Sequence, residues 1–570
     1  MQIKETTKEY DVCIVGSGAG GGMAAHELTK AGADVIMLEA GDWFDSEDYA
    51  MFAWSYESPR RGAGTQLKPF GDFDACFGGW NVEGEPYTTT DDTDFAWFRG
   101  RMLGGRTNHW GRISLRFGPD DFRVRSIDGM GDDWPISYEE IEPYYDRIDR
   151  MIGVFGTNEG IKNEPGGINL PPPEPRCYEH YMKKTCDSMG IPMIPSRLSI
   201  LTKPHNGRAA CHYCGQCGRS CSTHSNFSTP SVLLPPALES GNLKIITGAM
   251  AREVTYENGK ATGVSYVNKK DKTEHKVRAR VVVLAASACE SARLLLNSKS
   301  TDFPDGLANS SGMVGKYLMD TTGSTVAGVI PDLMDMPPHN EDGVGGMHLY
   351  IPWWLDNSKL DFRRGYHVEP WGGLGMPSYG FLNDIHKYNN ILKDRPKGGG
   401  GYGKKLKEDY RRFYGSVIGF SGRGESIARE DNYCEIDPNV VDEWGIPALR
   451  FNYNWSDEEY AQVKHMQTTF RSIIDEMGGT TLWDMPSKED GYGISTPGEI
   501  IHEVGTTRMG NDPKTSVLNK HCQTHDVPNL FVADGGPFVS QPHKNTTWTL
   551  LALSMRTSGY IADQFEKGNL

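Results

Sequence analysis

The strongest candidate for chemistry in this chain is a run of closely spaced cysteines. The pattern C-x2-C-x2-C-x3-C joins four of them: Cys211, Cys214, Cys217 and Cys221. Soft thiolates at this spacing are typical ligands of an iron–sulfur cluster, and the run matches that of bacterial ferredoxins. Because the last cysteine of that run serves a different cluster in two-cluster ferredoxins, a three-iron and a four-iron cluster both stay open. A structural zinc ion is the alternative.

A glycine-rich turn near the N-terminus predicts a dinucleotide site. The apolar run 11–15 is followed by Gly16, Gly18 and Gly21, a helical pattern, and a second apolar run that ends at Glu39. In this fingerprint the glycines permit a tight turn, a close approach to pyrophosphate and close packing of helix on strand. The helix N-terminus offers N–H groups to phosphate, and Glu39 can accept from a ribose hydroxyl. An acid here disfavours a 2′-phosphate, so we expect FAD or NAD.

The elements that must position these motifs are spread over the whole chain. The helical pattern after the glycines covers residues 23–31, and apolar runs at 245–251, 263–267 and 281–285 predict strands. A last apolar run at 529–533 precedes an acid and two glycines. One cofactor domain is therefore expected to be assembled from segments that lie hundreds of residues apart. The sequence predicts an α/β protein with a discontinuous Rossmann-like domain.

This organisation resembles the glucose–methanol–choline (GMC) oxidoreductase family over most of the chain. The resemblance is carried by these segments: residues 16–21 with Glu39, residues 100–110, residues 247–251, residues 502–510, Asp534-Gly535 and Asn545-Thr546. It implies an FAD-binding domain and a substrate domain with an antiparallel sheet and helices. Beyond the first glycine turn and Glu39, it implies these cofactor contacts: Gly104, Gly105, Thr107, Asn108, His109, Ala251, Asp534, Gly535, Asn545 and Thr546. The sequence departs from the family pattern at two of these positions: Arg106 replaces a small residue and Thr546 replaces a proline. These differences leave the subfamily open, not the family.

The resemblance also implies a catalytic pair near the C-terminus. Hydride removal from an alcohol carbon leaves a positive centre unless the hydroxyl proton departs too, and a neutral histidine suits that task near pH 7. We expect His502 to be the base and Asn545 to orient the hydroxyl. Asn545 also fits a helix N-cap, and His543 competes for its role. Glu425 is a candidate to orient His502 or to bind a sugar hydroxyl; the alternative is an acid on a surface loop.

His109 follows the second glycine motif and has two interpretations. Some members of the family carry a covalent bond from a histidine at this position to the flavin 8α carbon. Such a bond raises the flavin potential and prevents cofactor loss. The alternative is a histidine that only packs on the dimethylbenzene ring.

Composition excludes several classes of function. Acidic residues outnumber basic ones by 75 to 59, for a net charge of −16, which is a poor match to a nucleic-acid backbone. No stretch approaches the roughly 18 apolar residues of a membrane span. The N-terminus shows neither an apolar export segment nor twin arginines, so we expect no export signal in this chain. Glycine is the outlier at 67 of 570 residues, which indicates many tight turns.

The domain boundaries follow from the resemblance and the positions of the motifs. We assign residues 1–118, 226–330 and 496–570 to the FAD-binding domain, and 119–225 and 331–495 to the substrate domain, with the cysteine loop at 211–221. A glycine-rich segment at 397–404 predicts a mobile loop, either an active-site lid or a surface tip.

Flavin together with an iron–sulfur cluster implies that electrons leave through the protein. A subgroup of the family, the large subunits of bacterial sugar dehydrogenases, has this combination, with a small accessory subunit that carries the export signal and a cytochrome c acceptor. The resemblance therefore implies a periplasmic FAD-dependent dehydrogenase that is co-exported with its partner and oxidises a sugar or glycoside hydroxyl, with C3 of a glucoside as the sharper expectation.

Three alternatives stay open at this point. The first is a cytoplasmic dehydrogenase with a soluble acceptor. The second is an oxygen-using sugar oxidase in which the cysteine loop holds structural zinc. The third is an electron-transfer flavoprotein subunit that has no alcohol substrate.

Overall fold

A computed structural model describes residues 4–45, 48–49, 53–54, 56–58, 62–71, 74–336, 343–373 and 403–570. Of the expected loop at 397–404, residues 397–402 lie outside these ranges. No helix in the described part of the chain combines the length and the apolar character needed to cross a membrane.

The described strands are numbered in chain order. They are β1 (Lys4–Val15), β2 (Val35–Leu38), β3 (Gly78–Gly79), β4 (Thr88–Thr89), β5 (Arg99–Gly100), β6 (Ile194–Pro195), β7 (Leu243–Ile246), β8 (Ala249–Glu257), β9 (Lys260–Asn268), β10 (Glu274–Leu284), β11 (Thr325–Val329), β12 (Leu349–Tyr350), β13 (Tyr366–Trp371), β14 (Val417–Gly424), β15 (Tyr433–Val441), β16 (Pro447–Asn452), β17 (Thr480–Thr481) and β18 (Leu530–Val532).

The described α-helices are numbered in the same way. They are α1 (Ala19–Lys30), α2 (Val124–Asp128), α3 (Tyr138–Ile152), α4 (Cys177–Ser188), α5 (Thr229–Val232), α6 (Leu234–Glu239), α7 (Ala288–Asn297), α8 (Lys404–Phe413), α9 (Asp457–Glu476) and α10 (Thr547–Glu566).

The largest sheet gathers strands from both ends and the middle of the chain. Its order is β7-β2-β1-β10-β9-β8, and β18 pairs with β10. β1 lies parallel between β2 and β10, whereas β9 pairs antiparallel with both β10 and β8. Residues 12–14 of β1 and the whole of β2 are buried, as expected for central parallel strands covered by helices. Helix α1 packs against β1, β2 and α10.

A second sheet has the order β13-β14-β11-β17. All of its strand pairs are antiparallel. One side chain from β11, Val326, and one from β14, Phe420, share an apolar cluster with Met466 and Phe470 of α9. This helix therefore supports the sheet from the side where those residues are buried.

Two elements differ from the sequence prediction, and glycine is the reason in both. Helix α1 begins at Ala19 rather than at residue 23, because Gly20, Gly21 and Gly22 have no apolar side chains that a periodicity could reveal. The predicted strand 245–251 is two strands, β7 and β8, because Gly248 between them has a φ of +64° and turns the chain. Helix α10 begins at Thr547, two residues after Asn545, for which the sequence suggested a position at a helix N-terminus.

Candidate active site

A cavity of about 560 Å³ extends from the glycine turn after β1 to the C-terminal segment that carries His502 and Asn545. Most residues expected to hold a cofactor or to do chemistry line it: Gly16, Gly18, Glu39, Gly105, Thr107, His109, Ala251, His502, Asp534, Gly535, Asn545 and Thr546. The structure therefore brings together segments that lie more than 500 residues apart in the chain.

The glycines of the first turn divide into two groups. A Cβ at Gly16 would lie 2.3 Å from the carbonyl oxygen of Ala285, and one at Gly21 would lie 1.9 Å from that of Gly16. These positions accept only glycine, because the opposing atoms belong to the backbone. A Cβ at Gly18, by contrast, would have no protein atom within 4 Å and would point into open space. That space is where the fingerprint places a pyrophosphate, so the turn fits FAD.

Glu39 ties the two glycine motifs together. Its Oε2 accepts a hydrogen bond of 3.1 Å from the Ser17 amide, and its Oε1 accepts one of 2.8 Å from the Gly41 amide. The Ser17 hydroxyl in turn accepts from the Gly104 amide at 2.8 Å. Glu39 is buried at the end of β2 and lines the cavity, where its remaining lone pairs can accept from a ribose.

Three of the expected cofactor residues do not line the cavity but shape it. Gly21 packs α1 against the turn, and Gly104 has a φ of +88°. The Asn108 amide donates to the carbonyl oxygens of Leu103 and Gly105, at 2.9 Å each. Asn108 thereby holds the second glycine motif in place.

Arg106, which departs from the family pattern, joins the second glycine motif to the catalytic segment. Its guanidinium donates to the Glu503 carboxylate at 2.6 Å and to the carbonyl oxygen of Ile501 at 3.3 Å. All three residues line the cavity on either side of His502. The extra positive charge is therefore paired within the cavity wall.

His502 is held at both of its ring nitrogens. Nδ1 lies 3.0 Å from Thr321 Oγ1, and Nε2 lies 3.4 Å from the Asn545 amide nitrogen. The His502 backbone amide donates to the buried Asp320 carboxylate at 2.9 Å. Burial first, and then the nearby Arg423, lowers the pKa of His502 from 6.5 to about 3. The imidazole is thus neutral near pH 7 and able to accept a proton.

Asn545 does not act as the N-cap that its sequence position suggested. The cap residue of α10 is Thr546, and no side chain bonds to the end of the helix there. The Asn545 amide nitrogen instead lies 3.4 Å from both His502 Nε2 and Glu369 Oε1. Its Oδ1 is buried and has no partner among the described residues. An unsatisfied acceptor beside the base is suited to a substrate hydroxyl.

The structure does not bring Glu425 to His502. Its carboxylate accepts from the Gly365 amide at 3.2 Å, and it does not line the cavity. Burial raises the pKa of Glu425 to about 7, and the Asp121 carboxylate adds to that shift. The sequence shows the acid but not which way the end of β14 turns, so it does not reveal this bond; binding of a sugar hydroxyl by Glu425 stays a prediction. The carboxylate beside the catalytic pair is Glu369.

Sequence reasoning missed the residues that surround the catalytic pair. Glu369, on β13, pairs with Arg423, on β14, at 3.1 Å, and with His367 Nε2 at 3.2 Å. Thr321, next to His502, lies just before β11. An alternation of charged or polar residues along 366–371 was the available signal for Glu369; a lone threonine gives none.

His543, the competitor for the role of Asn545, faces away from His502. Its ring is buried, with Nε2 3.4 Å from Lys544 Nζ and 3.6 Å from the Glu164 carboxylate. Its backbone carbonyl is 2.5 Å from His367 Nδ1. His543 and Lys544 therefore share a site beside Glu164, whereas Asn545 reaches the base.

His109 lines the cavity at the end of the second glycine motif. Its ring packs on Phe98 and Phe70, with centroids 5.2 Å and 5.3 Å away. Nδ1 lies 3.5 Å from the Asp74 carboxylate. Asp74, Cys76 and His109 form the one group in the described residues whose three possible ligand atoms lie within 4.8 Å of one another.

The cysteine loop lies next to this end of the cavity. The carbonyl oxygen of Gly218 accepts from the Ala75 amide at 2.6 Å, and Ala75 directly follows Asp74 in the cavity wall. Burial raises the pKa of Cys211 to about 11, and the nearby cysteine thiols contribute. Burial opposes ionisation of Cys221 as well, but hydrogen bonds from Thr223 and neighbouring amides lower its pKa overall. None of the four cysteines forms a disulfide bond in this structure.

Known proteins are similar to this chain over nearly its whole length. Family models described as GMC oxidoreductase match residues 20–321 and 428–554. The 2-methyl-1,2-propanediol dehydrogenase of Mycolicibacterium austroafricanum is 30% identical over 98% of this chain and 96% of its own. The fructose dehydrogenase large subunit of Gluconobacter japonicus is 27% identical over 99% of both chains.

The fold is shared with a solved structure of lower identity. The crystal structure of pyridoxine 4-oxidase from Mesorbium loti has a TM-score of 0.62 and 18% identity, covering 97% of this chain and 99% of that one. The expected fold class is thereby confirmed, and the glycine turn provides the space that FAD requires. The chain belongs to the GMC oxidoreductase family of FAD-dependent enzymes that act on CH–OH donors.

Proposed function

We propose that this enzyme is a dehydrogenase that oxidises a hydroxyl of a sugar, glycoside or related polyol to a carbonyl. The observation that carries the proposal is the pair His502 and Asn545 at the end of the cavity, with a neutral imidazole and an unsatisfied amide oxygen. The names of the two relatives, a propanediol dehydrogenase and a fructose dehydrogenase subunit, support a polyhydroxylated donor. Oxidation at C3 of a glucoside is a narrower proposal that rests on resemblance alone.

The chemistry divides between the cofactor and the protein. Bound FAD supplies the acceptor for hydride. Because the Asn545 amide nitrogen can only donate to His502 Nε2, Nδ1 carries the ring proton and donates a hydrogen bond to Thr321 Oγ1, which leaves Nε2 as the nitrogen that accepts the hydroxyl proton. Thr321 is itself fixed by the Gln541 amide at 3.1 Å. The N-terminus of α10 lines the cavity through Thr546 and Thr547, and its dipole favours negative charge there.

The cysteine loop is proposed to hold an iron–sulfur cluster. The spacing C-x2-C-x2-C-x3-C of Cys211, Cys214, Cys217 and Cys221, which is that of bacterial ferredoxins, supports a cluster over a single zinc ion. The contact between Gly218 and Ala75 supports a role in electron transfer, because it sets the loop beside the cavity wall. A cluster there would take electrons one at a time.

An external acceptor and an accessory subunit follow from that proposal. The relative from Gluconobacter japonicus is itself described as a large subunit, which supports a multisubunit assembly with a cytochrome c or similar acceptor. Periplasmic location by co-export with a partner is the accompanying proposal, with a cytoplasmic enzyme as the alternative. Copurification of the tagged chain with a haem-containing protein from the native host tests the accessory subunit and the acceptor.

A covalent bond from His109 Nε2 to the flavin is proposed as well. His109 lines the cavity, and the Asp74 carboxylate beside Nδ1 leaves Nε2 free. After acid denaturation, yellow fluorescence should stay with the wild-type polypeptide and be released from His109→Ala. Free flavin from the wild type would exclude the bond.

The function is tested by adding a panel of sugars, glycosides and polyols to the enzyme without oxygen. Loss of the flavin absorbance on adding a donor supports the dehydrogenase. Reduction only by a partner protein would instead support an electron-transfer subunit.

The acceptor is tested on the same samples. We expect iron rather than zinc on elemental analysis, a paramagnetic resonance signal from the cluster, and reoxidation that is faster with cytochrome c than with air. Zinc together with rapid reoxidation in air would establish the sugar-oxidase alternative.

A further inference from the structure

A charged pair next to the catalytic residues has no part in the steps above. Glu369 and Arg423 come from the neighbouring strands β13 and β14, and their side chains are 15% and 21% exposed. Glu369 Oε1 lies 3.4 Å from the Asn545 amide nitrogen, which lies 3.4 Å from His502 Nε2. Glu369 Oε1 is therefore within about 7 Å of the base and partly accessible.

The charge of Glu369 is already balanced by the protein. Arg423 Nη2 is 3.1 Å from Oε2, and His367 Nε2 is 3.2 Å from Oε1. Burial alone would raise the pKa of Glu369, but Arg423 and His367 outweigh it and lower the pKa to about 2. The group stays a carboxylate throughout the working pH range. Because a cation and a histidine already neutralise it, a neutral hydroxyl donor fits this site better than an ammonium group.

The spacing between base and carboxylate matches two adjacent hydroxyls. One hydroxyl oxygen at hydrogen-bond distance from His502 Nε2, about 2.8 Å, and a second at the same distance from Glu369 span the gap through two neighbouring carbons. The unsatisfied Oδ1 of Asn545, which lies next to both, can accept from either hydroxyl. A lone alcohol would leave the carboxylate without that partner.

We propose that Glu369, held by Arg423, binds the hydroxyl on the carbon adjacent to the one oxidised, so that the substrate class is vicinal diols. This inference rests on the proposed oxidation of CH–OH donors and narrows it. Glu369 is a specificity-determining residue, and the reaction at His502 is unchanged in kind.

The test compares donors that differ only in the neighbouring hydroxyl. The probes are butane-2,3-diol against butan-2-ol, and methyl glucoside against its monodeoxy forms. The measurement is the second-order rate constant for flavin reduction without oxygen. We expect the wild type to prefer the diol of a reactive pair by about tenfold to a hundredfold, because only the diol can donate a second hydrogen bond to the charged carboxylate. In Glu369→Gln this preference should fall at least about tenfold.

Two further variants guard against a general defect. The double variant E369Q/R423Q removes both charges, so that no arginine is left unpaired, and should fold with normal flavin content and the same lost preference. Glu435→Gln breaks a similar pair, Glu435 and Arg450 at 2.6 Å, on the separate sheet of β15 and β16, and should keep the wild-type preference.

The outcomes separate the two proposals. If the flavin is reduced but the wild type shows no preference for the diol, or Glu369→Gln leaves the preference intact, the vicinal-diol inference is overturned. If no donor of either kind reduces the flavin, the proposed oxidation fails first, and the inference falls with it.

Discussion

The two ends of the cavity are built in different ways. At the nucleotide end the backbone makes the site, since Gly16 and Gly21 exclude any side chain and Gly18 opens onto the cofactor space. At the reaction end side chains make it, since His502 and Asn545 come from separate segments and meet Glu369 of another sheet. A site made by the backbone requires particular residue types at fixed local spacing, so the sequence reveals it. A site made by side chains that are distant in the chain leaves no such local pattern.

The sharpest way to test the reaction end is to remove the base. His502→Ala should slow flavin reduction by a donor about a thousandfold, because the hydroxyl proton then has no acceptor. Anaerobic stopped-flow absorbance measures the effect. His525→Ala is the matched control, since this histidine bonds to Ser516 away from the cavity and should reduce at nearly the wild-type rate. A fast His502→Ala enzyme would remove the proposed base.

The nucleotide end is tested by two glycines that should fail in different ways. Gly18→Ala should fold but bind FAD roughly a hundredfold more weakly, because its methyl group occupies the open space in front of the turn. Gly21→Ala should fail to fold, because its methyl group would lie 1.9 Å from a backbone oxygen. Flavin content per chain and thermal melting distinguish the two; normal FAD affinity in Gly18→Ala would contradict the assignment.

A smaller effect is expected from the residue that sets the histidine tautomer. Thr321→Val should slow flavin reduction up to about tenfold without loss of FAD, since one hydrogen bond to Nδ1 is removed. Thr321→Ser keeps the hydroxyl and should restore the rate. Equal defects in both variants would mean that packing, not the hydrogen bond, is what Thr321 provides.

The smallest expected effect is the response to pH. Because the folded pKa of His502 is about 3 rather than 6.5, the rate of flavin reduction should change less than about twofold between pH 5 and 8. The same shift makes the free energy of unfolding depend on pH. The contribution of the neutral His502 ring is fully present above pH 6.5 and is lost as the pH falls towards 3. An acid limb in the rate near pH 6.5 would show that His502 is not desolvated.

The sequence was most informative where backbone geometry dictates residue type. The strand, glycine turn and acid at Glu39 were all predicted, and only the start of α1 was misplaced, because glycines carry no apolar periodicity. Glu39 and the glycines are recognised from local spacing, which the fold preserves.

The reaction end was predicted only in part, for a physical reason. His502 and Asn545 followed from the resemblance, but Glu369 and Thr321 act through contacts that depend on how β13, β14 and the segment before β11 pack. Glu425 looked equally suitable in the sequence, yet its carboxylate bonds to the Gly365 amide instead. A carboxylate near the base, such as Glu369, can be identified only when the sheet register is known.

We propose that a donor C–H is broken by hydride transfer to bound FAD beside His502. The most direct measurement is the anaerobic rate of flavin reduction by a donor and by the same donor with deuterium at the oxidised carbon. Hydride transfer predicts full reduction with two electrons per FAD and a several-fold slower rate for the deuterated donor. A flavin that every alcohol, diol and sugar leaves oxidised, although a strong chemical reductant bleaches it, would show that this enzyme takes no hydride from such donors.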